Sequence, residues 1–369
     1  MGAKMEDWRQ KMIAGITENE PKRRLPAEWE EQDGVLIAWP HEKTDWAPWL
    51  PEVESVFRKI AREIARFETV VIVARAKDEV REKLRGDGVL PERLRVYEVE
   101  FNDTWTRDYG PLTVYRSGRP LLLDFAFNGW GLKFPADLDN QVTRELWRRK
   151  AFQGVPLRTV GMVLEGGSIE SDGEGTILTT SRCLLSPNRN PHLTRKKIER
   201  KLAKWLGAQR VLWLDYGGLA GDDTDGHIDT LARLCPDGCI AYVACEDRED
   251  EHYVELAAMR RQLMDFRRPD GKRYQLVPLP LPQPCRDEHG RRLPATYANF
   301  LVINGAVLLP VYGDPADEAA AAAIAGLFPG REVVPVDCRP LIRQGGSLHC
   351  ATMQLPKGTL RFQEDTCRL

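Results

Sequence analysis

Five times along the chain a turn leads into a short apolar run: Asp33-Gly34 into Val35-Leu36-Ile37-Ala38-Trp39, Ser117-Gly118-Arg119-Pro120 into Leu121-Leu122-Leu123, Gly173-Glu174-Gly175 into Thr176-Ile177-Leu178, Asp237-Gly238 into Cys239-Ile240-Ala241-Tyr242-Val243, and Asn304-Gly305 into Ala306-Val307-Leu308-Leu309. Short apolar runs bounded by turn residues are the pattern of buried strands. The units continue through a segment of helical periodicity into a second strand: Val53 to Phe67 then Val70 to Ala74, Leu138 to Lys150 then Leu157 to Val163, Thr194 to Leu206 then Val211 to Leu214, Asp250 to Phe266 then Tyr274 to Leu279, and Asp317 to Leu327 then Glu332 to Val336. The first unit is longer, with an extra helix and strand before Phe101.

Alternating strands and helices define an α/β protein and most often mean a doubly wound parallel sheet. That fold predicts a glycine-rich phosphate loop after a strand, and none is present; Gly129-Trp130-Gly131 is a fragment of one and reads as a turn. Polar groups follow the last strand of every unit instead. Asp108 follows the first, Glu165 the second, His227 and Asp229 the third, Tyr297 and Asn299 the fourth, and Cys350 the fifth. Equivalent strand ends that each deliver polar groups suggest units set around an axis with those ends converging. The expectation is one closed domain over 25–369, preceded by an N-terminal segment, 1–24.

Composition narrows the function. Fifty-three Lys and Arg stand against fifty-five Asp and Glu, mixed along the chain for a net charge of −2, with no footprint for nucleic acid or an anionic membrane. Arg195-Lys196-Lys197 lies in a helical pattern and reads as a solvated face. No apolar run is long enough to span a bilayer and no secretory leader is apparent, so a cytoplasmic enzyme is expected. The eight cysteines are too sparse for a disulfide scaffold. Cys235, Cys239 and Cys245 lack the paired spacing of zinc modules and read as thiols on adjoining strands. Leu279 to Arg292, with its prolines, reads as a surface loop.

Cys350 is the candidate nucleophile. It follows Gln344-Gly345-Gly346-Ser347-Leu348-His349, and glycines allow the close backbone approach that presents a thiol to a substrate. Cys338, in Val336-Asp337-Cys338-Arg339-Pro340, competes without such a glycine pair. His227 and Asp229 alternate, so on an extended segment they share a face, and Asp225 and Asp229 flank the imidazole closely enough to fix its protonation state. His349 adjoins Cys350, but neighbours on a strand point oppositely, which makes His227 the better base. Asp108 and Asp229, at expected strand exits rather than on a helix face, are acceptor-only groups suited to the forked donors of a guanidinium. For Asp108 alone, a structural arginine partner or an Asx turn would serve as well.

Taken together, Trp105-Thr106-Arg107-Asp108-Tyr109-Gly110-Pro111, Glu165-Gly166-Gly167-Ser168-Ile169, Asp225-Gly226-His227-Ile228-Asp229 and Gly345-Gly346-Ser347-Leu348-His349-Cys350 resemble the agmatine deiminase and bacterial peptidylarginine deiminase family, from about Leu25 to Pro356. The resemblance implies the pentein fold, a five-bladed α/β propeller. It also implies Cys350 as nucleophile on a guanidino carbon, His227 as general acid and base, Asp108 and Asp229 as the guanidinium grip, Glu165 as the acidic residue beside guanidinium and histidine, and Trp105, Gly345 and Gly346 as pocket wall. The expected substrate is small, agmatine, turned over to N-carbamoylputrescine and ammonia without metal or other cofactor; the oligomeric state stays open, a homo-oligomer included. Gly-Gly-Ser-Leu-His-Cys and Asp-Thr-Asp-Gly-His depart from the Gly-Gly-Gly-Asn-Ile-His-Cys and Glu-Thr-Asp-Gly-His of agmatine deiminases where the far end of the substrate is read. A peptidylarginine deiminase is the nearest rival, and a non-catalytic pentein binding module is the rival of another class. A narrow pocket with an acidic or aromatic end favours agmatine, and an open cleft favours peptide.

Overall fold

The computed structural model describes residues 22–360, so most of the expected N-terminal segment, and Cys367, lie outside the described residues. Within them, each apolar run expected to follow a turn is an interior strand of its own small sheet: Gln32–Ala38, Arg119–Ala126, Thr176–Thr180, Cys239–Ala244 and Ala306–Val311. Each pairs in parallel with the strand expected after it, respectively Thr69–Ala74, Leu157–Val163, Arg210–Leu214, Gln275–Pro280 and Glu332–Asp337. A parallel pair needs a long crossover, and the helical segments supply it. As expected, the first sheet gains a further strand, Leu94–Glu98, after the helix Lys77–Gly86.

The other edge of each interior strand pairs antiparallel with a short strand that begins just after one of the polar segments. These strands are Leu112–Arg116, Ile169–Ser171, Ala232–Cys235, Leu301–Val302 and Met353–Pro356. The last of them returns to Gln32–Ala38, so the end of the described chain completes the first sheet. The five polar segments therefore stand at equivalent positions, each leading into the short antiparallel strand of a sheet.

Packing follows from the pattern. Val35, Leu36, Ile37 and Ala38 are fully buried, as a strand covered on both faces requires. Helix Leu50–Ala65 buries Val53, Val56, Phe57, Ile60, Ala61 and Ile64, the i, i+3, i+4 stripe of an amphipathic helix. Truncating Phe57 to Ala would cost about 3–5 kcal/mol by emptying that contact. Helix Arg195–Leu206 packs Ile198, Leu202 and Leu206 inward and keeps Arg195, Lys196 and Lys197 exposed, with the Arg195 guanidinium 4.7 Å from the Trp213 ring. Cys235 and Cys239 face each other on adjoining antiparallel strands. No helix among the described residues is long and apolar enough to cross a membrane.

Candidate active site

Three of the five polar segments line one small cavity of about 250 Å³, and the other two, at Glu165 and Asn299, are buried behind it. Trp105, Asp108, Gly345, Gly346 and Cys350 line it, together with Trp130, Phe134, Asp45, Asp103 and Asp223. Of the remaining expected residues, His227, Asp229 and Glu165 are fully buried and stand behind that lining.

The local backbone differs from the strand exits expected. Asp108 sits in a single helical turn, Thr106–Tyr109, held because the Thr106 hydroxyl donates to the carbonyl of Leu36 or Ala351, at 3.1 and 3.0 Å. That hydroxyl ties the turn to both the first interior strand and the cysteine segment. His227 and Asp229 are not on an extended segment, because Ile228–Thr230 forms a 3-10 turn; the two side chains converge through that turn rather than through strand alternation. His349 likewise lies in a turn, and its imidazole points away from the cavity into a deeper charged cluster, with Nδ1 2.8 Å from Asp229 Oδ2 and Nε2 2.7 Å from Glu28 Oε2. Asp225 does not flank the imidazole: its carboxylate accepts from Arg189 and, at 2.8 Å, from Lys133.

Among the described residues no arginine meets Asp108. One of its oxygens accepts from the indole N–H of Trp130 at 2.8 Å and the other from the backbone N–H of Gly167 at 2.9 Å. Gly167 is required here, because a Cβ at that position would lie 2.7 Å from His227 Nδ1 and 2.9 Å from Asp108 Oδ1. Gly346 is required for a parallel reason: a Cβ there would lie 2.4 Å from the Trp105 ring, which packs at 5.6 Å between centroids against Trp46. Asp229 keeps one oxygen 2.8 Å from His349 and 3.8 Å from the Cys350 sulfur, and its other oxygen has no hydrogen-bond partner among the described residues.

His227 lies between carboxylates, Nδ1 3.6 Å from Asp108 and Nε2 3.9 Å from Glu165. These are ion-pair distances, longer than hydrogen bonds. Burial pulls its pKa down, yet Asp108, Cys183 and Glu165 together push it well above the usual histidine value. Burial raises the Asp108 carboxyl, with only partial relief from His227 and Trp130. Against the same burial, His349 holds Asp229 below its ordinary value. The Cys350 thiol is pushed well up by burial and by Asp229 and Asp108. Glu165 accepts from the Arg189 Nε–H at 2.9 Å and stands behind the histidine, not on the cavity wall.

Cys338 is buried outside the lining, and burial raises its thiol pKa. The loop read as plain surface contributes Asp287, Arg291 and Arg292 to the cavity mouth. Residues the sequence reading missed are Trp130, whose only signal was the flanking glycines, and Arg189, Glu28 and Arg233, which carried none; Asp223 stands first in the Asp-Thr-Asp-Gly-His motif, but the sequence reading gives it no role of its own. Glu165, Cys183 and His227 lie close enough to share an ion, as do Glu28, Glu170 and His349, but arginines already neutralise both groups through Arg189 and Arg233.

A mixed α/β chain with a buried thiol facing paired carboxylates that no arginine satisfies among the described residues has a site able to hold an organic cation against a sulfur. The chain belongs to the Porphyromonas-type peptidyl-arginine deiminase family, whose model matches residues 24–356. It is 36% identical to the agmatine deiminase of Pseudomonas aeruginosa strain LESB58 over 360 residues, covering 90% of this chain and 95% of that one. A Cys-to-Ser variant of C. jejuni agmatine deiminase with substrate bound superposes with a TM-score of 0.86 at 38% identity, covering 94% of this chain and 99% of that one. A Porphyromonas gingivalis structure carrying the provisional name arginine deiminase superposes with a TM-score of 0.87 at 51% identity, covering 92% and 100%.

Proposed function

We propose that the protein is an agmatine deiminase. The observation that carries this reading is the composition of the small cavity: Cys350 and Asp108 at its floor, and Asp45, Asp103, Asp223, Trp105, Trp130 and Phe134 around it. A dication with a guanidinium at one end and an ammonium at the other matches Asp108 beside the thiol and the further carboxylates of Asp45, Asp103 and Asp223, which share the lining with Asp287, Arg291, Arg292 and Arg343, whereas a blocked arginine peptide has no second cation to offer those carboxylates.

In this reading Asp108 and the free oxygen of Asp229 hold the guanidinium, which orients its carbon towards the Cys350 sulfur. Neutralising those carboxylates with a bound cation removes the charges that raise the thiol pKa, so substrate itself favours the thiolate. The sulfur attacks as the thiolate, its proton lost to solvent, while the protonated His227 gives its proton to the leaving nitrogen, and ammonia departs to leave a covalent thiouronium and a neutral imidazole. Water then adds to that carbon, giving up a proton to His227. The C–S bond breaks as the remaining hydroxyl proton passes to the sulfur, which releases the ureido product and the free thiol. Glu165 and Arg189 hold the histidine from behind. We also propose that the five sheets stand around one axis as a five-bladed propeller in a single domain, which supports the convergence of their equivalent ends, and that the enzyme acts in the cytoplasm.

Ureido product formation from agmatine, free arginine and a blocked arginine peptide, measured side by side, tests the reading. Agmatine is expected to be turned over with by far the highest kcat/KM; preference for the peptide would replace the reading with peptidylarginine deimination.

A further inference from the structure

We propose that Asn299 is a catalytic residue of this site, its side-chain amide donating a hydrogen bond to the Cys350 sulfur and so holding the thiolate that attacks. The inference rests on Cys350 being the nucleophile. It accounts for the one polar strand end to which the reaction above assigns no part: of the two polar residues there, Tyr297 turns away to Asp317 at 2.6 Å, while Asn299 turns towards the sulfur.

Asn299 is fully buried, and its Nδ2 lies 3.3 Å from Cys350 Sγ. Which end of the amide is oxygen is settled by its other contacts. Oδ1 accepts from the backbone N–H of His349 at 2.9 Å and of Cys350 at 3.3 Å, an arrangement that only an acceptor permits. Nδ2 also lies 3.4 Å from the Asp229 carbonyl oxygen. The amide is therefore clamped to the turn that carries the nucleophile, with its donor end directed at the sulfur. The same Oδ1 lies 3.4 Å from Sγ, so the neutral thiol has an acceptor for its proton and the thiolate has a donor for its charge.

The two carboxylates nearest the sulfur oppose its ionisation. Asp229 Oδ2 is 3.8 Å away and Asp108 acts from the other side; His349 and His227 stand against these carboxylates. The backbone at Ser347 and the Asn299 amide, whose Nδ2 lies 3.3 Å from the sulfur, favour the thiolate. In a dry site a preorganised donor to a developing anion is worth on the order of 10² to 10³ in rate.

The test uses two variants, measured by kcat and KM for agmatine and by the pH dependence of iodoacetamide alkylation at Cys350, followed at that residue by peptide mass spectrometry. Asn299→Asp keeps the acceptor that clamps the turn and removes the donor; Asn299→Ala removes both without adding charge. Both are expected to lower kcat by on the order of 10²-fold with far less change in KM. Both should also move Cys350 alkylation to higher pH, Asp more than Ala. If Asn299→Ala is less stable or slower but alkylates along the wild-type pH profile, the amide is only a clamp and the proposal is overturned. An inactive Cys350→Ser beside an Asn299→Asp variant of wild-type rate and profile overturns the amide's role alone, whereas an active Cys350→Ser removes the nucleophile on which both readings rest.

Discussion

Two buried charged clusters lie back to back across Asp229, and they are satisfied in different ways. In the deeper one Arg233 is clamped on every side: its guanidinium donates to Glu28 at 2.9 Å, to Glu170 at 2.6 Å and to the carbonyls of Ala298 and Phe300 at 3.0 and 2.5 Å, and it stacks over the Phe300 ring at 4.4 Å. His349 adds a second bond to Glu28. In the shallower one Asp108 receives only neutral donors, and one oxygen of Asp229 receives none among the described residues. Buried charge is tolerated when it is paired. The deep cluster is closed by its own arginine, whereas in the shallow one His227 stands at ion-pair distance from Asp108, and the free oxygen of Asp229 is the acceptor that the guanidinium of the proposed substrate would fill. His349 belongs to both, because it fixes one oxygen of Asp229 from behind and leaves the other for the guest.

The largest effect that sharpens this contrast is expected from Cys350→Ser. It should lower turnover of agmatine by on the order of 10⁴-fold or more while leaving thermal stability close to wild type, because the alkoxide is far less accessible than the thiolate. Turnover near the wild-type rate, or an intermediate trapped on Cys338, would contradict the assignment.

On the deep side the expected loss is in folding. Arg233→Met leaves Glu28 and Glu170 buried without their main cation and should cost about 3–5 kcal/mol in a denaturant titration. Burial raises the Glu28 pKa, but His349, Arg233 and Arg107 together hold it far below an ordinary glutamate. Its contribution to wild-type stability is therefore present above an unfolded glutamate pKa of about 4.3 and is lost as pH falls below that value. A midpoint unchanged in Arg233→Met would erase the distinction between the clusters.

Asp108→Asn and Asp229→Asn should each lower kcat/KM for agmatine by an amount equivalent to about 2–5 kcal/mol, since an amide turns a donor towards a donor-only cation. Their stabilities should move oppositely. Burial raises the Asp108 pKa, so neutralising it relieves a desolvation cost and should not lower the melting temperature. His349 holds Asp229 below its ordinary value, so neutralising it forfeits that pair and should lower the melting temperature. Equal shifts would argue against the opposite environments described above.

The smallest effect expected is in pH dependence. Burial raises Asp223 to about 6 and Asp103 to about 7, and only their ionised forms attract the ammonium end of the substrate. As pH falls through that window, KM for agmatine should rise by about tenfold per pH unit for each group neutralised, and Asp223→Asn should remove the lower part of the rise. A KM independent of pH between these values would place the ammonium elsewhere.

Much of the framework was legible in the sequence because it rests on local rules. Turn residues before apolar runs gave the five interior strands, helical periodicity gave the crossovers, and the polar residues just before each short antiparallel strand gave Asp108, Glu165, His227, Asp229 and Cys350. What each of these residues faces was decided by contacts far apart in the chain. Asp225 lost its expected place beside the imidazole because Arg189 and Lys133 reach it first. Trp130 joined the site because a chain segment 22 residues from Asp108 folds its indole onto that carboxylate, and Glu28 did so through His349, 321 residues away. Periodicity and turn chemistry act over a few residues, so a sequence can fix which groups stand at strand ends. The pairing of buried charges depends on which side chain arrives first at ångström range, and only the assembled sheets determine that.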